Sequence, residues 1–283
     1  MNQLFVNNLT VIDFSYLHTE RGILGESWIV DIELEGDLDE QGMLFDFGDV
    51  KKKIKNIIDH EVDHKFVVPA AHQSISINTQ GTLAKVVYNA PSGEQIIHHS
   101  PLESLTQIKD VEISKENISA YLCDRILHQL PSNVKGICIQ LREEVIKGEF
   151  YHYSHGLKKH KGNCQRIAHG HRSTINIYRD GKPAHDLEKQ WASIFEDIYI
   201  GTESDIAGNP LINGHPHTHF AYSAIQGDFE LIIPSRQVYI IKTDSTVEWI
   251  ATHISEQLKA QYPTSQFRVK AFEGVGKGAI AER

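Results

Sequence analysis

Tyr151-His152-Tyr153-Ser154-His155, then Cys164-Gln165-Arg166-Ile167-Ala168-His169-Gly170-His171 and the alternating run Thr174-Ile175-Asn176-Ile177-Tyr178, is the stretch from which the fold is read. In a β-strand, residues two apart point to one face. His169 and His171 can therefore aim both imidazoles at one point, and Gly170 lets a ligand or a neighbouring backbone come close. His155, on the preceding strand, supplies a third nitrogen. Three histidines with an open fourth position is the catalytic zinc arrangement. A thiol nearby, here Cys164, loses its proton more readily beside a dication. His-x-His pairs also sit on surface strands by chance; the company of His155 and Cys164 sets this one apart.

Outward from this stretch the chain repeats itself. In the second half the strand of residues 174–178 runs into an Asp180-Gly181 turn, and Leu231-Ile232-Ile233 and Val238-Tyr239-Ile240-Ile241 read as apolar strands. Ser245-x-x-Glu248 has the form of a capping box, opening a helix with Val247, Ile250, Ile254 and Leu258 on one side. Phe267 to Glu273 then alternates as a strand. The first half follows the same plan. Trp28 to Glu35 alternates apolar and polar; Asp49 to His60 predicts a helix burying Val50, Ile54, Ile57 and Ile58, with Asp46 and Asp49 at its start. A second helix runs from about Ser114, the N-cap, to Leu130, with Ile118, Leu122 and Ile126 in its stripe. Gly136 to Glu143 is the closing strand. Between the helices, Ser74–Ile77 and Ala84–Tyr88 read as strand material with a turn at Pro91-Ser92-Gly93. The repeat places a module boundary near residue 146.

Composition narrows the classes. The 283 residues carry a net charge of −9, with 40% apolar and 23% charged residues, an ordinary globular balance. The acidic charge argues against a nucleic-acid-coating surface. No apolar run approaches the ~20 residues of a membrane span, and the start, MNQLFVNNLTVIDF, lacks a signal-peptide layout. Three cysteines are too few for a disulfide framework, so a cytoplasmic location is expected.

Histidine is the unusual count, at 17. Gly214-His215-Pro216-His217-Thr218-His219 is a rival cluster, but its proline argues against a regular central strand. His60, His72, His98, His99, His128, His160, His185 and His253 stand alone and read as surface or satisfied core residues. Cys123 and Cys138 read as small buried hydrophobes.

The pentad ending at His155, with Cys164 and His169-Gly170-His171, resembles the start of the 6-pyruvoyltetrahydropterin and 6-carboxytetrahydropterin synthases. The first half resembles the same family's middle, through Gly42-Met43-Leu44-Phe45-Asp46-Phe47-Gly48-Asp49-Val50-Lys51, Val62-Asp63-His64, Ser114 to Ser119 and the strand ending in Glu143. The tail recurs as Ser245 to Ala251 and the strand ending in Glu273. Only residues 70–110 and about 182–213 lie outside the likeness. It implies an α+β protein of two tandem tunnelling-fold modules, residues 1–145 and 146–283, each an antiparallel sheet with helices on one face. It also implies Zn2+ as cofactor, a pterin as small-molecule substrate and assembly as a homo-oligomer, with no nucleic-acid or membrane partner.

The departures carry information too. The first half keeps a histidine at His18, yet reads Leu24-Gly25-Glu26 where the second has His-Gly-His. The second half reads Thr218-His219 where the Asp-His pair is sought. Complementary loss suggests one composite site: His155, His169 and His171 hold zinc, with Cys164 from the second module and Asp63 and His64 from the first as acid–base groups. By resemblance the substrate is 7,8-dihydroneopterin triphosphate. Glu273, with Glu143 second, would hold the pterin ring, and Lys158, Lys159, Lys161 and Arg166 are candidates for the phosphates. The expected activity is 6-carboxytetrahydropterin synthesis, on the route to queuosine-type deazapurine nucleosides. 6-Pyruvoyltetrahydropterin synthesis and a non-catalytic pterin-binding protein are the alternatives.

Overall fold

The structure, a computed structural model, describes residues 2–283. Two modules follow one element order. In the first, β1 (Asn2–His18) and β2 (Gly22–Gly36) form a long hairpin, and α1 (Phe47–Glu61) leads into β3 (Phe66–Pro69). An inserted meander follows: β4 (Ile75–Gln80), β5 (Leu83–Asn89) and β6 (Gln95–Pro101). The chain returns through β7 (Leu105–Ile108), α2 (Lys115–Leu127) and β8 (Val134–Glu143). In the second, β9 (Phe150–His155) and β10 (His169–Arg179) make the hairpin. The short β11 (Lys182–Pro183) precedes α3 (His185–Ile194) and β12 (Ile198–Thr202). Its insert is β13 (Ile206–Gly208), β14 (Leu211–Ile212), β15 (His215–Ala224) and β16 (Gly227–Pro234). β17 (Val238–Ile241), α4 (Val247–Gln261), β18 (Phe267–Phe272) and β19 (Gly278–Glu282) complete the module.

The module sheets run β7-β3-β1-β2-β8 and β17-β12-β9-β10-β18-β19. Each is antiparallel through its hairpin and closing strand. Each is parallel on the other side, where β3 and β7, or β12 and β17, follow crossovers. Helices cover one face, as their apolar stripes require. Asp46 caps α1 by accepting from the Gly48 and Asp49 N–H groups, and Val50, Ile54, Ile57 and Ile58 are buried. Ser114 and Asn117 form a reciprocal capping box on α2, which buries Ile118, Leu122 and Ile126. Such side chains contribute roughly 1.5–3 kcal/mol each. On α4 the cap is Thr246, not Ser245: Thr246 accepts from the Trp249 N–H. Ser245 is occupied elsewhere, as described below.

The opposite faces of the two hairpins press on each other, and small residues make that possible. Ser15 pairs with Gly25 across β1–β2, and Ser154 with Gly170 across β9–β10. The Ser15 and Ser154 hydroxyls meet at 2.6 Å in the buried contact. A Cβ on Gly25 would stand 1.8 Å from the Tyr153 carbonyl oxygen, and one on Gly170 would stand 2.6 Å from the Gly25 Cα. Backbone thus lies on backbone at the centre of the module contact.

Residues 70–110, which lie outside the likeness, hold the insert of the first module. The two inserts join into a third sheet, β13-β15-β16-β6-β5-β4, in which β16 of the second module pairs antiparallel with β6 of the first. A core shared by both modules lies beneath it, including Phe66, Val86, Phe220 and Leu231. Two expectations change here. The His215–His219 segment is a regular strand, and Pro216 is tolerated because pairing with β16 starts only at His217. Cys138 is exposed and so is not a buried hydrophobe, whereas Cys123 is half-buried and packs against the first-module core. Among the described residues, no helix is long and apolar enough to cross a membrane.

Candidate active site

His155 ends β9, His169 begins β10 and His171 follows on the same strand, all three essentially inaccessible. The Nδ1 atoms of His155 and His169 are held by hydrogen bonds, while His171 Nδ1 makes none and faces a carboxylate. His155 Nδ1 donates to the Ser245 carbonyl oxygen at 2.8 Å, with the Ser245 hydroxyl at 3.2 Å. His169 Nδ1 donates to the Arg166 carbonyl at 2.9 Å. His171 Nδ1 lies 3.2 Å from Asp13 Oδ1, a carboxylate of the other module. A proton on Nδ1 leaves Nε2 with a bare lone pair. All three Nε2 atoms are buried and have no hydrogen-bond partner among the described residues. The ligand atoms lie within 4.8 Å of one another. Burial, with the neighbouring imidazoles, pushes His155 and His169 well below the ordinary histidine range, so both are held neutral. Three convergent Nε2 atoms without partners fit a divalent ion of borderline softness.

A second group overlaps the first: His64, Cys164 and His169 offer ligand atoms within 4.8 Å of one another. His64 has a left-handed backbone (φ 56°) just before β3. Its Nδ1 binds Asp63 Oδ2 at 2.6 Å. Burial alone would lower its pKa, but the hydrogen bonds to Asp63 and Cys164 outweigh that and push it up to about 10. Cys164 sits half-buried on a short turn, Asn163–Gln165. Glu273 follows β18, with Oε1 3.8 Å from His171 Nε2. Glu143 lies elsewhere: its carboxylate is bound by Lys115, with Arg172 at 3.9 Å. Sequence candidates from both modules, Asp63, His64, Cys164, Glu273 and the three histidines, thus come together, and Glu143 does not.

Strand register locates the counterpart of this site. Since Ser15/Gly25 matches Ser154/Gly170, the positions of His155, His169 and His171 are held in the first module by Tyr16, Leu24 and Glu26. The first-module counterpart of His155 is Tyr16, correcting His18. Ser15 also pairs with Phe66, and Ser154 with Tyr199. The counterpart of Asp63-His64 is therefore Glu196-Asp197, correcting Thr218-His219. Asp197 is locked to Arg21 by two hydrogen bonds of 2.7 and 2.6 Å. A cavity of about 350 Å³ remains there, lined among others by Tyr16, Glu26, Trp28, Glu143 and Arg172. Its residues offer no cluster of metal ligands.

Four residues escaped the sequence reading. Asp13 was legible as a lone acid between Ile12 and Phe14 in an apolar strand, a sign of a paired buried charge. Ser245 was assigned to the helix cap. Lys277, in a Gly-Lys-Gly segment, gave no signal. Lys65 lies beside Arg166; burial and that guanidinium push its pKa down to about 8. Arg166 donates to the His64 carbonyl at 3.4 Å. Among the described residues neither cation has a carboxylate within 4.0 Å, whereas Lys158 is bound to Asp205 and Lys159 to Asp244.

The structure is a tandem α+β protein in which candidate site residues from both modules meet. Residues 13–147, which span most of the first module, match the family model of 6-pyruvoyl tetrahydropterin synthase. The match covers Asp13, Asp63 and His64 and ends before the three histidines. A curated relative from Pyrococcus horikoshii, provisionally named 6-carboxy-5,6,7,8-tetrahydropterin synthase, is 25% identical over 133 residues, which is 47% of this chain and 76% of the relative. One of the same provisional name from Methanocaldococcus jannaschii is 25% identical over 140 residues, 47% of this chain and 82% of that one. A solved 6-pyruvoyl tetrahydropterin synthase from Plasmodium vivax aligns with a TM-score of 0.42 at 18% identity, covering 52% of this chain and 93% of its own.

Proposed function

We propose that this pterin-metabolism lyase is a zinc-dependent 6-carboxytetrahydropterin synthase acting on 7,8-dihydroneopterin triphosphate at the single composite site. The observation that carries the reading is the set of three bare Nε2 atoms facing the Asp63–His64 pair and Cys164. His155, His169 and His171 would hold the ion, which when bound supplies Lewis acidity to the side-chain oxygens of the substrate. Cys164 and His64 lie close enough to exchange a proton between them and with a substrate carbon. Asp63 fixes the His64 ring by its 2.6 Å bond. The Glu273 carboxylate accepts from the pterin amino group and ring N–H. Lys65 and Arg166, two buried cations with no carboxylate beside them, suit the phosphates better than the engaged Lys158 and Lys159. The relatives' provisional names and the family match support the pterin as substrate class. The chain is expected to work in the cytoplasm as a homo-oligomer.

The test is to incubate the zinc-loaded chain with 7,8-dihydroneopterin triphosphate and identify products by mass spectrometry. 6-Carboxytetrahydropterin with acetaldehyde is expected. A 6-pyruvoyl product would assign the other synthase activity, and no turnover by a zinc-bound, pterin-bound chain would overturn catalysis.

A further inference from the structure

We propose that Asp13 is a positioning residue of the metal site, a first-module carboxylate that sets the orientation and basicity of His171. The inference rests on the reading of the three histidines as metal ligands. Asp13 is 3% exposed, and a carboxylate so buried persists only when paired. Its partners come from both modules: the Ser27 hydroxyl donates to Oδ1 at 2.5 Å, Lys277 Nζ to Oδ2 at 2.9 Å, and His171 Nδ1 stands 3.2 Å from Oδ1. His155 and His169 are anchored by carbonyls of their own module. His171 alone turns its Nδ1 to a group of the other module, in a charge contact with Asp13 rather than a formed hydrogen bond.

The backbone of Asp13 serves the same site. Its N–H donates to Asp63 Oδ1 at 2.8 Å, and its carbonyl accepts from the His64 N–H at 2.7 Å. One residue therefore fixes a candidate metal ligand with its side chain and the acid–base pair with its main chain. The counterpart position supports the assignment. By register, His152 stands where Asp13 stands and Glu26 where His171 stands. There the pair is exchanged, imidazole for carboxylate, at 3.7 Å. The acid–imidazole couple survives in both places, but only the arrangement with Asp13 presents an imidazole to the cluster. A carboxylate behind a ligating imidazole holds its tautomer and strengthens it as a donor; loss of such a partner costs about 10–100-fold in metal affinity.

The test uses the full chain with zinc in chelator competition and with cobalt(II) followed by its visible absorption. Asp13→Asn is expected to weaken zinc about 10–100-fold and to change the cobalt spectrum. Lys277→Met, at a half-exposed side chain, removes one partner of the same carboxylate without opening the core; it is expected to shift the cobalt spectrum while the metal stays bound. Wild-type affinity and an unchanged spectrum in Asp13→Asn would overturn the role of Asp13 and leave the metal site standing. If Asp13→Asn does not fold, an unchanged spectrum in Lys277→Met overturns it. A wild-type chain that takes up neither metal would overturn the site, and this inference with it.

Discussion

Glu26 is a carboxyl group sealed beneath the module contact, 4% exposed. Burial raises its pKa from 4.5 to about 7, against the pull of the Ser27 N–H. The folded state therefore favours the protonated acid. Its contribution to stability is full below about pH 4.5 and is lost as pH rises through about 7. Glu26→Gln should leave urea stability unchanged at pH 4 and raise it by about 2–3 kcal/mol at pH 8. At the composite site, Cys164→Ala and His64→Ala should each lower turnover about 10²–10⁴-fold with zinc content unchanged by elemental analysis, since neither belongs to the three-histidine cluster. The convergence of His155, His169 and His171 was legible because two-residue spacing on a strand is a geometric statement. The partners of Asp13, Ser245, Lys65 and Lys277 depend on which segment lies against which, and no local pattern encodes that, although Asp13 does stand out as a lone acid in an apolar strand.

At the scale of elements, helices were read closely because a 3.6-residue stripe with a capping side chain is local information. The α1 stripe of Val50, Ile54, Ile57 and Ile58 and the Ser114 cap of α2 are examples. The cap of α4 was misplaced by one residue because Ser245 and Thr246 both satisfy the pattern, and His155 decides between them. The match of Tyr16 to His155 was missed because sequence aligned the histidines while pairing aligns Ser15 with Ser154. The paired glycines at the hairpin contact give a clear prediction. Gly25→Ala has no room against the Tyr153 carbonyl; it should cost about 1–3 kcal/mol or more by overpacking, read as a lowered melting temperature. Gly42→Ala, where nothing lies within 4 Å of the added Cβ, is the control for a glycine away from the contact, although its φ of +76° adds local strain.

For the molecule as a whole, the two modules are alike in fold and unlike in chemistry. Tyr16, Leu24 and Glu26 cannot replace three imidazoles, so one tightly bound zinc per chain is expected by elemental analysis, and His169→Ala should abolish it. Two equivalents per chain in the purified protein would contradict the single composite site. The repeat made this division readable, yet it could not show the third sheet, because its strands come from both inserts. That sheet bears on how the chain is made. β6 leaves the ribosome with an open edge, and its partner β16 follows only after more than a hundred further residues, several seconds or more at ~5–20 residues per second. During that interval the first module is a nascent polypeptide with an unmatched strand, a template for pairing with another chain. Translation speed and chaperone supply should therefore govern the soluble yield of this protein more than its final stability does.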